Sequence, residues 1–488
     1  MKKILFSLSF SFNLSLVSLS QAQAQTPASN TPPNILLILT DDLGYGDLGY
    51  TGSTQIKTPN IDSLAKDGII FPQAYVSAPV CGPSRAGLLT GRYQGRFGFD
   101  SNPHGHSWHN ADAIGLPVEE KTIGDRMQSL GYHTAVIGKW HMGHADHFYP
   151  TKRGFDYFFG MRGGGHSYFP QLEKIGKPGY WYPHFSLERM GRKLEKIDVP
   201  YLTDWFTDDA MKYVDDRSKE KAPWFLYLAY NAPHGPLEAK EQDIAKYKHV
   251  KHAGRRTYCA MVDCLDQNIG RLIKKLKANG QYENTVIIFL NDNGGSTDTV
   301  FALNAPYWGT KGTFYEGGVR VPMFIHNTKR FKAGSYDKAV TALDLVPTCI
   351  ALADGEQPQR KVKVGRREKT LLDGHNLLPY LSGEKGDASP YQETIFWRMM
   401  PRGSGALSGD WKLIMSPHSP TLLFNIAKDP AEQNNVINQH PEIHARLLNE
   451  FQSWASSHER PPMWMDMPNW GDMRGLHRKK YPLEQPKQ

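Results

Sequence analysis

Cys81-Gly82-Pro83-Ser84-Arg85 places a thiol at the head of a helix-like segment, Ala86-Gly87-Leu88-Leu89-Thr90-Gly91-Arg92, with a permanent positive charge four residues on. That spacing reads as a reactive group held at a helix start beside a fixed cation. The same residues also suit a buried free cysteine ahead of an ordinary helix. Asp41, Asp42, Asp292 and Asn293 offer a second chemistry. They supply only hard oxygen ligands, which suit Ca²⁺ better than zinc, since zinc sites recruit His or Cys. Cys81 stands available between the two pairs as a further metal neighbour. An Asp-Asp pair after a strand also serves as a helix or turn cap.

The elements that must position these residues are legible in the apolar patterning. Asn34 to Thr40, His133 to Gly138, Trp224 to Tyr230 and Asn284 to Leu290 read as buried strands. Between them lie helical patterns at Asn60 to Asp67, Thr122 to Leu130, Leu202 to Val214 and Thr257 to Ala278. The alternation predicts an α/β fold with a mainly parallel central sheet flanked by helices. Each strand runs into a polar cluster: Asp41-Asp42, Lys139-Trp140-His141, Asn231-Ala232-Pro233-His234 and Asn291-Asp292-Asn293-Gly294-Gly295. Ligands of open α/β sheets bind outside the carboxyl ends of the strands, so the four clusters should converge on one rim. Ser382 to Pro390 marks a boundary rich in small residues. Beyond it Glu393 to Trp397, Asp410 to Met415 and Thr421 to Asn425 read as short strands, and Ile443 to Trp454 as an amphipathic helix. We expect a catalytic domain over 25–385 and a smaller α+β subdomain with an antiparallel sheet over 386–488.

Residues 1–24 have the basic, apolar and small-residue order of a secretory leader: Met1-Lys2-Lys3, the run Ile4 to Leu19, and Ala22-Gln23-Ala24. No later segment is long and apolar enough to cross a bilayer, so the expected product is periplasmic or secreted, with no stable membrane insertion. The net charge of +8 becomes +6 once Lys2 and Lys3 are removed with the leader, which contains no acid. A modest positive charge fits an anionic substrate, and no nucleic-acid reader motif is present. Four cysteines, Cys81, Cys259, Cys264 and Cys349, are too few for a disulfide scaffold. Cys259 and Cys264 lie five apart in a helix-like segment and are poorly placed to bond each other.

Six ordered blocks resemble those of type I sulfatases, the formylglycine-dependent, arylsulfatase-like branch of the alkaline phosphatase superfamily. They are Asn34 to Gly49, Cys81 to Arg92, Gly138 to His141 (GKWH), Pro233 to Pro236 (PHGP), Asn291 to Gly295 (NDNGG) and Lys311 to Arg320 (KGTFYEGGVR). Gly409 to Leu413 and Asp429-Pro430 with Glu432 and Asn435 resemble that family's C-terminal subdomain. The resemblance implies an alkaline-phosphatase-like sandwich, a Ca²⁺ held by Asp41, Asp42, Asp292 and Asn293 next to Cys81, and oxidation of Cys81 to formylglycine by a dedicated maturation enzyme. It further implies that Arg85 and Lys139 hold the hydrated aldehyde. Lys311 and His234 would bind the sulfate and protonate the leaving oxygen, and His141 would be the base for elimination.

In Gly163-Gly164-Gly165-His166-Ser167, His166 matches the serine or histidine that the family often sets against the sulfate; a flexible lid loop is the other reading. His104, His106 and His109 suit either a sugar subsite or an ordinary loop. The basic run Arg360, Lys361, Lys363, Arg366 and Arg367 suits a polyanion or a solvated loop. The expected activity is hydrolysis of sulfate esters on a sulfated polysaccharide or its oligosaccharides, such as an algal glycan (ulvan or carrageenan) or a glycosaminoglycan. The alternatives are a phosphonate or phosphate diester hydrolase of the same superfamily, which shares C-x-P-x-R, and a non-catalytic binder of anionic glycans.

Overall fold

The strand Asn34–Thr40 is buried at every position, and its side chains divide between two cores. Leu36 and Ile38 face one core with Tyr258, Val262, Leu265 and Phe206, while Ile35, Leu37 and Leu39 face the other with Ala86, Leu88 and Met127. A strand with both faces covered reads as a continuous apolar run, which is why NILLILT is recognisable. The computed structural model describes residues 32–103, 114–170, 186–194, 201–364, 367–399, 402–417 and 419–458. The leader, His104, His106, His109 and Arg366 lie outside the described residues. So does the segment after 458.

Asn34–Thr40 lies near the centre of a ten-stranded sheet. Parallel neighbours on its two sides are Trp224–Ala229 and Thr285–Asn291. His133–Lys139 and Tyr157–Met161 extend the parallel set beyond Trp224–Ala229. Met323–His326 and Leu187–Arg189 begin the two antiparallel margins. The register sets Leu39 opposite Ala229 and Thr40 opposite Asn291, so the polar clusters leave the sheet at one edge. Helices Leu202–Arg217 and Ala253–Ala278 contribute to one core, and Cys81–Thr90, Ile123–Ser129 and Leu345–Leu352 to the other. Among the described residues, no helix is long and apolar enough to cross a membrane.

The expected helix Thr122 to Leu130 is present as Ile123–Ser129, with Thr122 as its cap. The Thr122 hydroxyl accepts from Asp125 N at 3.1 Å, and the Asp125 carboxylate accepts from Thr122 N at 2.8 Å. The longest helix begins at Ala253, four residues before the expected Thr257, because the imidazole of His252 accepts from Arg255 N at 3.2 Å. Histidine is outside the usual set of capping residues, so this start carries no sequence signal.

The C-terminal sheet has four antiparallel strands, Ile395–Met399, Gly403–Ser408, Trp411–Ser416 and Ser419–Asn425, where three were expected. Gly403–Ser408 (GSGALS) contains no β-branched or aromatic residue, and pairing with a strand on either side makes it a strand. Helix Pro441–Ser456 contributes Leu447, Phe451 and Trp454 to a core with Phe396, Leu413 and Leu423. Trp397 Nε1 donates to Val76 O at 2.7 Å, and Arg398 pairs with Asp100 at 2.7 Å, so this sheet is tied to the segments flanking Cys81–Thr90.

Candidate active site

Cys81 is the first residue of a ten-residue helix whose every residue is buried. One turn on, Arg85 is on the same helical face. Its side chain is fully buried and spans two strand ends: Nε donates to Asp292 Oδ2 at 2.9 Å, and Nη2 lies 2.8 Å from Asp292 Oδ2 and 3.5 Å from Asp41 Oδ2. Arg85 Nη1 also donates to Lys139 O at 3.1 Å. Lys139, the last residue of its strand and likewise fully buried, donates to Asp41 Oδ2 at 2.5 Å. Lys311 pairs with Asp42 Oδ1 at 2.6 Å, and His234 Nε2 lies 3.7 Å from Asp42 Oδ2. Cys81 Sγ donates to Asp41 Oδ1 at 3.6 Å. The rim predicted from strand endings is therefore one constellation.

Its donor set fits a hard divalent cation. Ligand oxygens of Asp41, Asp42 and Asp292 lie within 4.8 Å of one another, and atoms of Asp41, Cys81 and His234 form an overlapping group. Asn293 Nδ2 donates to Asp42 Oδ1 at 2.8 Å, which leaves its own Oδ1 toward no donor. Among the described residues, Asp292 Oδ1 and Asn293 Oδ1 are both buried acceptors without a hydrogen-bond partner, a costly state that a bound cation would relieve. Asp42 adopts φ 63°, a left-handed conformation uncommon for a residue with a Cβ.

The buried charges shift one another. Burial alone would raise the Asp41 carboxyl, but Lys139, His234 and Arg85 outweigh it and hold it low. Burial and the neighbouring Asp41 charge push Asp292 up. Burial pushes the Cys81 thiol up to about 12 despite Lys139 and Lys311, so the unmodified side chain stays a protonated thiol and a poor nucleophile near neutrality. Burial also lowers His234, and Lys311 and Lys139 act in the same direction.

His141 follows Lys139 by two residues, is buried, and adopts φ 62°. The glycine run lies against it: a Cβ on Gly164 would come within 2.8 Å of His141 Nε2. His166 is buried on the same loop, its Nδ1 2.8 Å from Ser167 O. The next residue but one secures the loop to the rim, since Tyr168 OH donates to Asn231 O at 2.7 Å and to His234 O at 2.9 Å. Lys361 and Lys363 are exposed residues of a hairpin strand, Lys361–Val364.

Several supporting residues were not singled out in the sequence, although Asp47 lies within the Asn34 to Gly49 block. Asn304 donates to Gly295 O at 2.8 Å and accepts from Gly295 N at 2.9 Å, joining the Asp292 strand end to the segment that leads to Lys311. Asp47 accepts from Tyr258 OH at 2.8 Å, Arg255 Nη2 at 2.6 Å and Leu303 N at 2.9 Å. Arg402, from the C-terminal sheet, brings Nη1 within 3.2 Å of where a Gly312 Cβ would sit, one residue from Lys311. Only its basic character could have marked it, and the loop between two strands that were not both foreseen gave no register.

The sulfatase family model matches residues 33–355. Mouse arylsulfatase J is 31% identical over 483 residues, spanning 89% of this chain and 78% of that protein. Mouse N-acetylgalactosamine-6-sulfatase is 32% identical over 447 residues, spanning 82% of this chain and 81% of its own. The crystal structure of Ps i-CgsB in complex with k-i-k-neocarrahexaose is similar with a TM-score of 0.80 and 36% identity, covering 92% of this chain and 97% of that one.

Proposed function

The chain belongs to the sulfatase family and is a sulfuric ester hydrolase, and on that premise we propose that it desulfates a sulfated polysaccharide or its oligosaccharides with an oxidised Cys81 and a bound Ca²⁺. The observation that carries this reading is the placement of Cys81 against Asp41 Oδ1, with Arg85, Lys139 and Lys311 on the surrounding carboxylates. A glycan substrate is supported by the likeness to Ps i-CgsB, which was solved with neocarrahexaose. In this reading residues 25–385 carry the chemistry, 386–488 buttress it, and residues 1–24 direct export to the periplasm or beyond.

Asp41, Asp42, Asp292 and Asn293 would hold the ion, which supplies Lewis-acid stabilisation to oxygen at the reacting centre. The aldehyde state of Cys81, once hydrated, supplies two hydroxyls on one carbon, one to displace the alcohol from sulfur and one to expel sulfate. Arg85 and Lys139 orient that side chain and offset its negative charge. Lys311 and His234 bind the sulfate oxygens, and a proton passes from this pair to the departing alcohol oxygen. His141 takes the proton of the remaining hydroxyl as sulfate leaves, and a water then restores the hydrate. His166 would add a contact to the sulfate from the loop above His141.

Cys81 is 1% exposed at the head of a buried helix, so the maturation enzyme would have to meet the chain before it folds. Gly164 has a backbone open to alanine, and its missing side chain leaves room for the His141 imidazole. Gly164→Ala should lower kcat by about 10- to 100-fold, the cost of displacing a reacting group by up to an ångström, with little change in melting temperature. An unchanged kcat would remove His141 from the chemistry.

The reading as a whole is tested by comparing sulfate release from the neocarrahexaose with hydrolysis of a phosphate diester by protein matured in its native host. We expect kcat/KM for the sulfate ester to be at least about 10³-fold higher. A preference for the phosphate diester would move the protein to that sister activity. Tight glycan binding without turnover, and with Cys81 still a thiol, would make it a binding protein.

A further inference from the structure

We infer that Lys412 and Glu432 are positioning residues for the reaction: with Glu316 they form a buried ion cluster through which the C-terminal sheet sets the loop carrying Lys311. Lys412, in the strand Trp411–Ser416, is fully buried, with Nζ 2.6 Å from Glu316 Oε1 and 3.2 Å from Glu432 Oε1. Glu432 Oε2 in turn accepts from the backbone N of Glu316 at 2.6 Å, so the third member fixes main chain as well as charge. Glu432 adopts φ 52°, a conformation held by its surroundings. The other oxygen of Glu316 accepts from Arg320 Nη1 at 3.0 Å and Tyr75 OH at 2.9 Å.

Glu316 opens the short helix Glu316–Val319, five residues after Lys311. Two sets of contacts carry its position to the rim. Gly294, next to Asn293, donates to Gly318 O at 2.9 Å, and a Cβ there would strike Gly317 O, so helix and strand end are in van der Waals contact. Lys311 N donates to Gly295 O at 3.2 Å, Gly312 N to Pro79 O at 2.8 Å and Gly317 N to Trp308 O at 2.7 Å. A shift of Glu316 therefore displaces Lys311 relative to both Asn293 and the Cys81 helix. A fully buried lysine shared by two carboxylates is a costly way to join two layers that apolar contact could join, and what it adds is fixed geometry. This accounts for the lysine of GDWKL and the glutamate after Asp429-Pro430, which have no place in the chemistry.

The inference rests on the role given above to Lys311. Its test is a double-mutant cycle of Lys412→Met with Lys311→Met, read as kcat/KM for sulfate release and as the calorimetric affinity for inorganic sulfate, below the melting temperature of every variant. We expect Lys412→Met to lower kcat/KM about 10- to 100-fold and weaken sulfate binding, and the double variant to be no worse than Lys311→Met alone. A merely structural cluster would shift the melting temperature and leave both readouts of the folded protein within about two-fold. That result, or losses that multiply in the double variant, would overturn the inference. If Lys412→Met does not fold, Lys412→Met/Glu432→Gln removes both buried charges while Glu316 keeps Arg320 and Tyr75, and the same cycle applies. Absence of sulfate release by the wild-type protein would instead refute the proposed function.

Discussion

Cys81→Ser protein, incubated with a sulfated oligosaccharide it can bind, should release at most one equivalent of alcohol and then stop. Serine has one hydroxyl on Cβ, so it can displace the alcohol and form an ester with the sulfate. It has no second hydroxyl to expel the sulfate and regenerate itself. The steady-state rate should fall by at least about 10⁴-fold, as expected when a covalent nucleophile is lost. Intact mass spectrometry should show an adduct of about 80 daltons on the Cys81→Ser peptide, while the wild-type peptide from the native host should be about 18 daltons lighter than cysteine requires. The substitution nearly conserves volume in a site where Cys81 contacts Asp41 Oδ1, so the melting temperature should change little. Sustained turnover by Cys81→Ser would refute the two-hydroxyl mechanism. A wild-type peptide carrying only thiol would refute the modification, since burial raises that thiol and disfavours the thiolate.

Dialysis against a calcium chelator should abolish most of the activity, by at least about 10²-fold, and Ca²⁺ should restore it where Zn²⁺ does not. Three carboxylates whose oxygens lie within 4.8 Å of one another have Arg85, Lys139 and Lys311 drawn onto them, with His234 beside Asp42. An ion held by those carboxylates would compete with these cations for the same oxygens, and it would supply a Lewis acid beside them. A readout independent of turnover is the melting temperature. At a hundredfold excess of Ca²⁺ over its dissociation constant the folded state gains about 2.7 kcal/mol. Asp292→Ala should abolish that gain, because it would remove one of the proposed ligands, and it leaves Arg85 without its closest partner. Full activity and an unchanged melting temperature in protein shown by elemental analysis to lack calcium would exclude the ion.

Much of this molecule is written locally. The strands Asn34–Thr40, His133–Lys139, Trp224–Ala229 and Thr285–Asn291 were legible to within a residue or so at each end, because strands covered on both faces are unbroken apolar runs, and each of these ends at polar residues that are themselves buried. The polar residues following them were legible as site candidates for the same reason, and Cys81, Arg85 and the aspartates were marked by type and spacing. What the tertiary structure alone decided is which buried charge meets which. Lys139 on Asp41, 98 residues apart, and Lys412 on Glu316, 96 residues apart, depend on sheet register and on the docking of the C-terminal sheet, neither of which has a local signal. The strand Gly403–Ser408 owes its conformation to its two neighbours, and the room beside His141 to a glycine more than twenty residues away. Patterning records whether a residue is buried, because burial acts on each segment separately. The choice of partner for a buried charge is a pairwise property of the assembled fold, since only there do distance and desolvation together set its energy.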